Sequence, residues 1–239
     1  MPEFRQRSSE TELLDRDDIP FQDIQLNMAE LDRINTLLGG HAITIAGLKQ
    51  LLHHAVLKQR MHICEIGCGG GDNLRVIRDW CKRNNIAVVL TGVDINPHCI
   101  GYAQQRDKNA GIDFVCSDYR LVQFEQTPDI IFSSLFCHHF NNDQLVALLQ
   151  WCSSNAKIGF FINDLQRHPL AYYSIKGLTQ LFSKSYLVKN DAPISVLRGF
   201  SRAEWQQLFA TAGIAPYHIQ WKWAFRWLII VQQSNQHYA

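Results

Sequence analysis

Between about residue 63 and residue 165, short runs rich in Val, Ile and Phe alternate with stretches whose apolar residues recur at helical spacing. Runs that are apolar on both faces suit strands covered on two sides, and the amphipathic stretches suit the crossover helices that parallel strands require. Strands are expected at 62–66, 87–93, 113–116, 129–135 and 159–163, with two more, aromatic-rich, at 217–222 and 224–231. Leu74, Ile77 and Cys81 share one helical face, as do Leu145, Leu148, Leu149 and Cys152. Asn96 caps a helix that Pro97 opens, where a missing N–H does no harm. Ser201 and Glu204 form a capping box, Trp205, Leu208, Phe209 and Ala212 a stripe, and Gly213 a stop. The pattern predicts an α/β chain: a Rossmann-like, doubly wound, mostly parallel seven-stranded sheet with helices on both faces.

Two segments fall outside the alternation. Residues 22–57 read as two helices broken at Gly39-Gly40, and residues 166–200 are too apolar for a solvated loop and too long for an ordinary connection. The expected organisation is a flexible arm at 1–21, a helical cap at 22–58 and a core at 59–239 with a lid inserted at 166–200. The aromatic residues of that lid fit either an apolar ligand pocket or the core of an inserted helix pair.

Charge and composition narrow the partners. In 239 residues, 23 Lys and Arg face 22 Asp and Glu, a net charge of +1 that argues against a broad nucleic-acid-binding face. No apolar run nears the roughly 20 residues of a bilayer span, and the first residues lack the pattern of a secretory signal, so a cytoplasmic location is expected. The seven cysteines contain no C-x-x-C, and His53-His54 and His138-His139 are adjacent pairs, not the i, i+4 spacing of metal ligands. Free thiols and no metal are expected.

The strongest chemical signal lies where the first expected strand ends: Glu65, Gly67, Gly69 and Gly71 alternate into a turn that opens a helix at Asp72. Glycine permits the sharp turn and a close approach of backbone to ligand. A dinucleotide fingerprint would place its third glycine at position 72, where Asp72 would instead repel a pyrophosphate. An acid before the turn and another at the helix start suit a ligand carrying an ammonium or sulfonium group. Further carboxylates, Asp94 and Asp118, fall at the ends of the second and third strands, where ligands of open α/β sheets bind.

With these residues in place, the chain resembles the class I S-adenosylmethionine-dependent methyltransferases. The resemblance implies that Glu65, Gly67, Cys68 and Gly69 hold the methionine part of S-adenosyl-L-methionine, and that Asp94 accepts from both ribose hydroxyls while Ile95 packs on the adenine. It implies that Ser117, Asp118 and Tyr119 form the adenine edge, and that backbone carbonyls near Ser134 and Leu135 meet the methionine amino group. The product would be S-adenosyl-L-homocysteine. The stretches 31–40 and 190–200 resemble a small-molecule branch near the ubiquinone, menaquinone and polyketide methyltransferases. This implies a small aromatic, phenolic or quinone-like acceptor, methylated on oxygen by in-line displacement.

A phenolic proton needs a base, and histidine titrates near neutrality. His139, after the fourth strand, and His168, after the fifth, are the candidates, each equally able to be structural. In extended chain His138 and His139 would point opposite ways, so one of the two is expected to face the acceptor. Arg167 suits an anionic acceptor group or a pair with Asp164, and Tyr172 and Tyr173 suit acceptor contact. The same strand-turn-helix could serve a nicotinamide-dependent oxidoreductase, which Asp72 opposes, or a binding module without catalysis. The carboxylates of the cleft would face a basic cap of Lys176, Lys184, Lys189, Arg198 and Arg202.

Overall fold

A computed structural model describes residues 2–16, 18–53 and 60–233. In chain order the main elements are α1 (Phe21–Leu37), α2 (Gly40–His53), β1 (Met61–Ile66), α3 (Asp72–Arg83), β2 (Val88–Asp94), α4 (Pro97–Gln104), β3 (Asp113–Cys116) and β4 (Ile130–Ser134). They continue with α5 (Asn142–Asn155), β5 (Gly159–Leu165), α6 (Pro169–Phe182), α7 (Tyr186–Arg198), α8 (Arg202–Ala212), β6 (His218–Lys222) and β7 (Arg226–Gln232).

The strands form one seven-stranded sheet in the order β3-β2-β1-β4-β5-β7-β6. β1 to β5 are parallel, and the hairpin of β6 and β7 adds antiparallel to β5. Strand order reverses between β1 and β4, the switch point at which such sheets open a crevice at their carboxyl ends. On one face Ile63, Phe132, Phe161, Leu228 and Ile230 pack with Leu48 and Leu51 of α2 and Leu74 and Ile77 of α3. On the other, Ile131, Phe160, Ile162 and Ile229 pack with Leu145 and Leu149 of α5 and Trp205 and Phe209 of α8.

Local chemistry fixes the helix ends as the sequence predicts. The Asn96 side chain accepts from the N–H groups of His98 and Cys99 with Pro97 in the first turn, and Ser201 and Glu204 form the capping box of α8. β4 is shorter than expected because Leu135 adopts φ 54° and breaks the extended chain.

The outer segments depart further from expectation. The described residues of 1–21, expected as a flexible arm, contact α7 and the turn after β4: the Ser8 amide donates to Leu197 O at 3.0 Å, Arg7 donates to His138 O at 3.2 Å, and the amides of Leu13 and Leu14 donate to Asp191 at 2.8 and 3.0 Å. The segment 22–53 forms the two expected helices, and residues 54–58 of the expected cap, with His54, lie outside the described residues. The segment 166–200 forms a helix pair. α7 is buried on most sides, whereas α6 buries only Ala171 and Thr179 and leaves Leu181 and Phe182 over 75% exposed, at 78% and 76%. No described helix is long and apolar enough to cross a membrane.

Candidate active site

β1 ends in a turn stapled to β2: the amides of Gly67 and Cys68 both donate to Val93 O, at 2.8 and 3.1 Å. Gly67 sits at φ 71°, and a Cβ there would stand 2.2 Å from the Phe136 ring, so neither the backbone conformation nor the space admits a side chain. Asp94 closes the turn. Its Oδ2 accepts from Gly69 N at 2.8 Å and its Oδ1 from Asn96 N at 2.9 Å, one amide per oxygen, leaving acceptor capacity on both. Burial pushes its carboxyl above the usual range, and the two amides pull it back.

Behind the loop, Glu65 is buried. Its Oε1 accepts from Asn73 Nδ2 at 3.0 Å, while Oε2 has no partner among the described residues. Burial, with Asp72 and Asp94 nearby, pushes this carboxyl well above its ordinary value. An ammonium donating to Oε2 would supply both the missing bond and the missing charge. Asp72, where a pyrophosphate would need open amides, is itself half-buried and bound to His41 Nε2 at 2.7 Å and Asn35 Nδ2 at 3.3 Å. Burial alone would raise this carboxyl, but the hydrogen bond and charge of His41 hold it below the usual range. A fixed anion therefore occupies the phosphate position.

The remaining expected cofactor residues divide. Ile95 is 70% exposed beside Asp94, a free apolar surface suited to a flat ring. Cys68 is buried, Ser134 Oγ accepts from Asn163 Nδ2 at 3.2 Å, and the Leu135 amide donates to Asn163 O at 2.9 Å. Ser117 Oγ donates to Asp118 O at 3.0 Å. Asp118 is paired with Arg120, whose guanidinium holds its carboxyl below the usual range, so a ligand amine would share it with that arginine. The Tyr119 side chain turns away from the strand ends into the core, edge-on to Trp151 at 5.2 Å. Only its backbone stays at the edge.

The turn after β4 is governed by Asp164. Its Oδ2 accepts from Phe136 N at 3.2 Å and Cys137 N at 2.7 Å, and its Oδ1 from Leu165 N at 2.7 Å and His138 Nδ1 at 2.8 Å. The far nitrogen of His138 faces Glu12 Oε1 at 3.5 Å. Burial opposes charge on this ring, yet the flanking carboxylates Asp164 and Glu12 raise it to about 9, while His138 and His139 take Glu12 down to about 2 against its own burial. A ring protonated on both nitrogens cannot accept a proton at neutral pH.

Residues 137–139 form a 3-10 turn, not extended chain, so the two histidine rings lie together, centroids 4.5 Å apart, instead of pointing opposite ways. His139 is the more exposed of the two, with Nδ1 3.1 Å from Asp15 and Nε2 3.9 Å from Glu12. His168 caps α6: its Nδ1 accepts from Leu170 N at 3.1 Å and its ring stacks on Phe225 at 4.9 Å. A neutral imidazole has one lone pair, and the cap uses it, which leaves His168 a donor at Nε2.

Arg167 meets neither an open site nor Asp164. It pairs with Glu204 at 2.7 Å and donates to the carbonyls of Gly199 and Phe4, because Asp164 is already saturated by the turn. Tyr172 and Tyr173 pack edge to face on each other and around Phe4 of the arm, and Tyr173 is 57% exposed. Of the expected basic cap, Arg198 turns inward to the carbonyls of His138 and His139, at 2.9 and 2.7 Å, joined there by Arg7. Sequence reasoning missed Arg7, Glu12 and Arg226. Their partners are distant in the chain, and no local spacing signals them.

Residues 63–159 match a family described as a methyltransferase domain. Among curated proteins, the chain is similar to malonyl-[acyl-carrier protein] O-methyltransferases. That of Anoxybacillus flavithermus is 32% identical over 93 residues, 37% of this chain and 34% of that protein. That of Acetivibrio thermocellus is 29% identical over 86 residues, 36% of this chain and 29% of that protein. The matched stretch thus spans about a third of these relatives' length. Among solved structures, the plantazolicin methyltransferase BpumL in complex with S-adenosylhomocysteine is similar at TM-score 0.65 and 19% identity, covering 91% of this chain and 92% of that one. The magnesium protoporphyrin IX methyltransferase of Synechocystis is similar at TM-score 0.54 and 15% identity, covering 82% and 84%. At these identities the likeness shows the fold.

Proposed function

We propose, for a chain whose residues 63–159 carry a methyltransferase domain of the class I S-adenosylmethionine-dependent kind, that it transfers a methyl group to an oxygen of a small aromatic, phenolic, quinone-like or polyketide-like acceptor. The observation that carries the reading is the glycine loop flanked by two under-used carboxylates: Glu65 Oε2 without a partner, and Asp94 with one amide on each oxygen.

S-adenosyl-L-methionine, when bound, supplies an electrophilic methyl on a sulfonium. Glu65 and the carbonyls near Ser134 and Leu135 would take its ammonium, Asp94 its vicinal hydroxyls, Ile95 its adenine face and Asp118, shared with Arg120, its exocyclic amine. The chain's task is then to align the acceptor oxygen and exclude water, since in-line displacement depends chiefly on positioning. Residues 22–53 and 166–200 serve as cap and lid over the strand ends, with Tyr172 and Tyr173 at the rim. His139, the more exposed of the adjacent pair, takes the acceptor's proton, whereas His138 is buried between Asp164 and Glu12 and His168 spends its acceptor nitrogen on the cap of α6.

Isothermal titration with S-adenosylhomocysteine tests the reading. Binding by the wild-type chain and at least a tenfold loss in Asp94→Ala are expected; no binding, or undiminished binding in the variant, sinks it. The base assignment is tested by turnover of a phenolic acceptor across pH, and His139→Ala with an unchanged rate and pH profile would leave positioning alone.

A further inference from the structure

The site described above leaves one buried cation unexplained. Arg226 opens β7 opposite Leu165 of β5 and is 3% exposed, on the same sheet face as Leu228 and Ile230, beneath α2. Its Nη2 donates to Asn35 Oδ1 at 3.0 Å, but Nε and Nη1 have no partner, and among the described residues no carboxylate lies within ion-pairing distance. The acids whose charge it feels, Asp164 and Asp72, are held by His138 and His41. A buried guanidinium with idle donors is costly unless something pairs with it.

Two other unpartnered atoms lie on the same face, Glu65 Oε2 on β1 and Asn163 Oδ1 on β5. Each polar residue stands two positions from an apolar one that packs under α2: Glu65 from Ile63, Ser134 from Phe132, Asn163 from Phe161 and Arg226 from Leu228. Side chains alternate across a strand, so the four form a polar row across the carboxyl ends of β1, β4 and β5 to the start of β7. The start of α2 roofs its far end. Asn163 Nδ2 donates to Gly40 O at 3.3 Å, and a Cβ on Gly40 would stand 2.9 Å from Asn35 Oδ1 and 3.0 Å from Arg226 Nη1, so the Gly40 backbone lies close over the guanidinium and its asparagine partner.

Resting on the methyl-transfer reading above, we propose that Arg226 is the anion-binding side chain of the acceptor subsite, and that the acceptor carries a carboxylate which this arginine holds. The row has an acid at the glycine-loop end and a cation at the other, three strand spacings away, roughly 14 Å between strand axes. A methionine head seated on Glu65 has its own carboxylate beside its ammonium, which places the Arg226 end on the acceptor side. Arg167, the arginine expected from sequence for this role, is consumed by Glu204.

Thermal denaturation of the full chain saturated with S-adenosylhomocysteine, titrated with benzoate, 4-hydroxybenzoate or malonate and with the matching neutral amides, tests the assignment. The carboxylates, not the amides, are expected to raise the wild-type Tm in a concentration-dependent way, and Arg226→Met is expected to lose that response while binding S-adenosylhomocysteine within threefold of wild type. Should Arg226→Met not fold, Arg226→Lys decides, with the carboxylate response weakened at least threefold. Three results would overturn the proposal: no carboxylate response in the wild type, a response retained in Arg226→Met or undiminished in Arg226→Lys, or S-adenosylhomocysteine affinity falling tenfold while 5′-methylthioadenosine, which lacks the methionine carboxylate, binds as before. The last would assign Arg226 to the cofactor. Failure of the wild type to bind S-adenosylhomocysteine at all would strike the methyl-transfer reading instead, and the carboxylate response of the free protein would still decide the subsite.

Discussion

The ring of His138 ties three parts of the chain through two carboxylates, Asp164 of β5 and Glu12 of the N-terminal arm, and its removal has a calculable signature. Its folded pKa is about 9 against an ordinary 6.5, a difference of about 2.5. At 1.36 kcal/mol per unit this is on the order of 3 kcal/mol of stability. A raised pKa stabilises fully below the unfolded value, so this contribution is complete below about pH 6.5 and disappears as pH rises through about 9. Glu12 has the opposite sign: with its pKa lowered from 4.5 to about 2, its contribution is complete above about pH 4.5 and disappears as pH falls through about 2. These two groups therefore leave a plateau between about pH 4.5 and 6.5. Urea unfolding followed from the plateau to about pH 9.5 should show the wild type losing roughly 3 kcal/mol. His138→Gln leaves two buried carboxylates facing a neutral group and should begin roughly 3 to 5 kcal/mol lower, with that alkaline slope largely gone. A wild-type curve flat over this window, or a variant with the same slope, would refute the assignment of the charge to His138.

Three further outcomes follow from the same geometry. Gly67→Ala puts a Cβ 2.2 Å from Phe136 at a φ of 71°, and strain plus overpacking should lower unfolding free energy by roughly 3 kcal/mol; a loss under about 1 kcal/mol would contradict the close approach. Glu65→Gln keeps the acceptor for Asn73 and removes only a buried acid, so the free protein should keep its Tm while S-adenosylhomocysteine binds about tenfold more weakly, the scale of one charge-assisted hydrogen bond; equal affinity by titration calorimetry would remove Glu65 from the site. Asp191→Ala strips the acceptors of Leu13 N and Leu14 N, so limited trypsin digestion should cleave at Arg16 several-fold faster than in the wild type, and an unchanged rate would show that other contacts hold the arm.

Much of the fold is legible in the chain because the interactions that set it are local. The short apolar runs and the two aromatic-rich stretches near the end place all seven strands to within a few residues, and Asn96 with Pro97, or Ser201 with Glu204, caps its helix through side chains a few positions away. The glycine loop is legible for the same reason: a turn needing left-handed backbone between a strand and a helix leaves its mark in consecutive residues. Where chain conformation differs from the expected local state, the reading fails. His138 and His139 were expected to diverge, but Leu135 ends β4 and a 3-10 turn brings the rings together.

The sequence by itself thus determined a doubly wound sheet and the acids at its strand ends, since periodicity and capping act over a few residues and strand ends follow from them. Only tertiary structure decided which charges are committed and which remain available. Arg167 and Glu204 lie 37 positions apart, and Arg226 and Asn35 191 apart. Arg7, Glu12 and Phe4 reach the lid from an arm expected to be flexible. A charge is neutralised by whatever the fold carries within a few ångströms, and that neighbour leaves no trace at any fixed spacing in the chain.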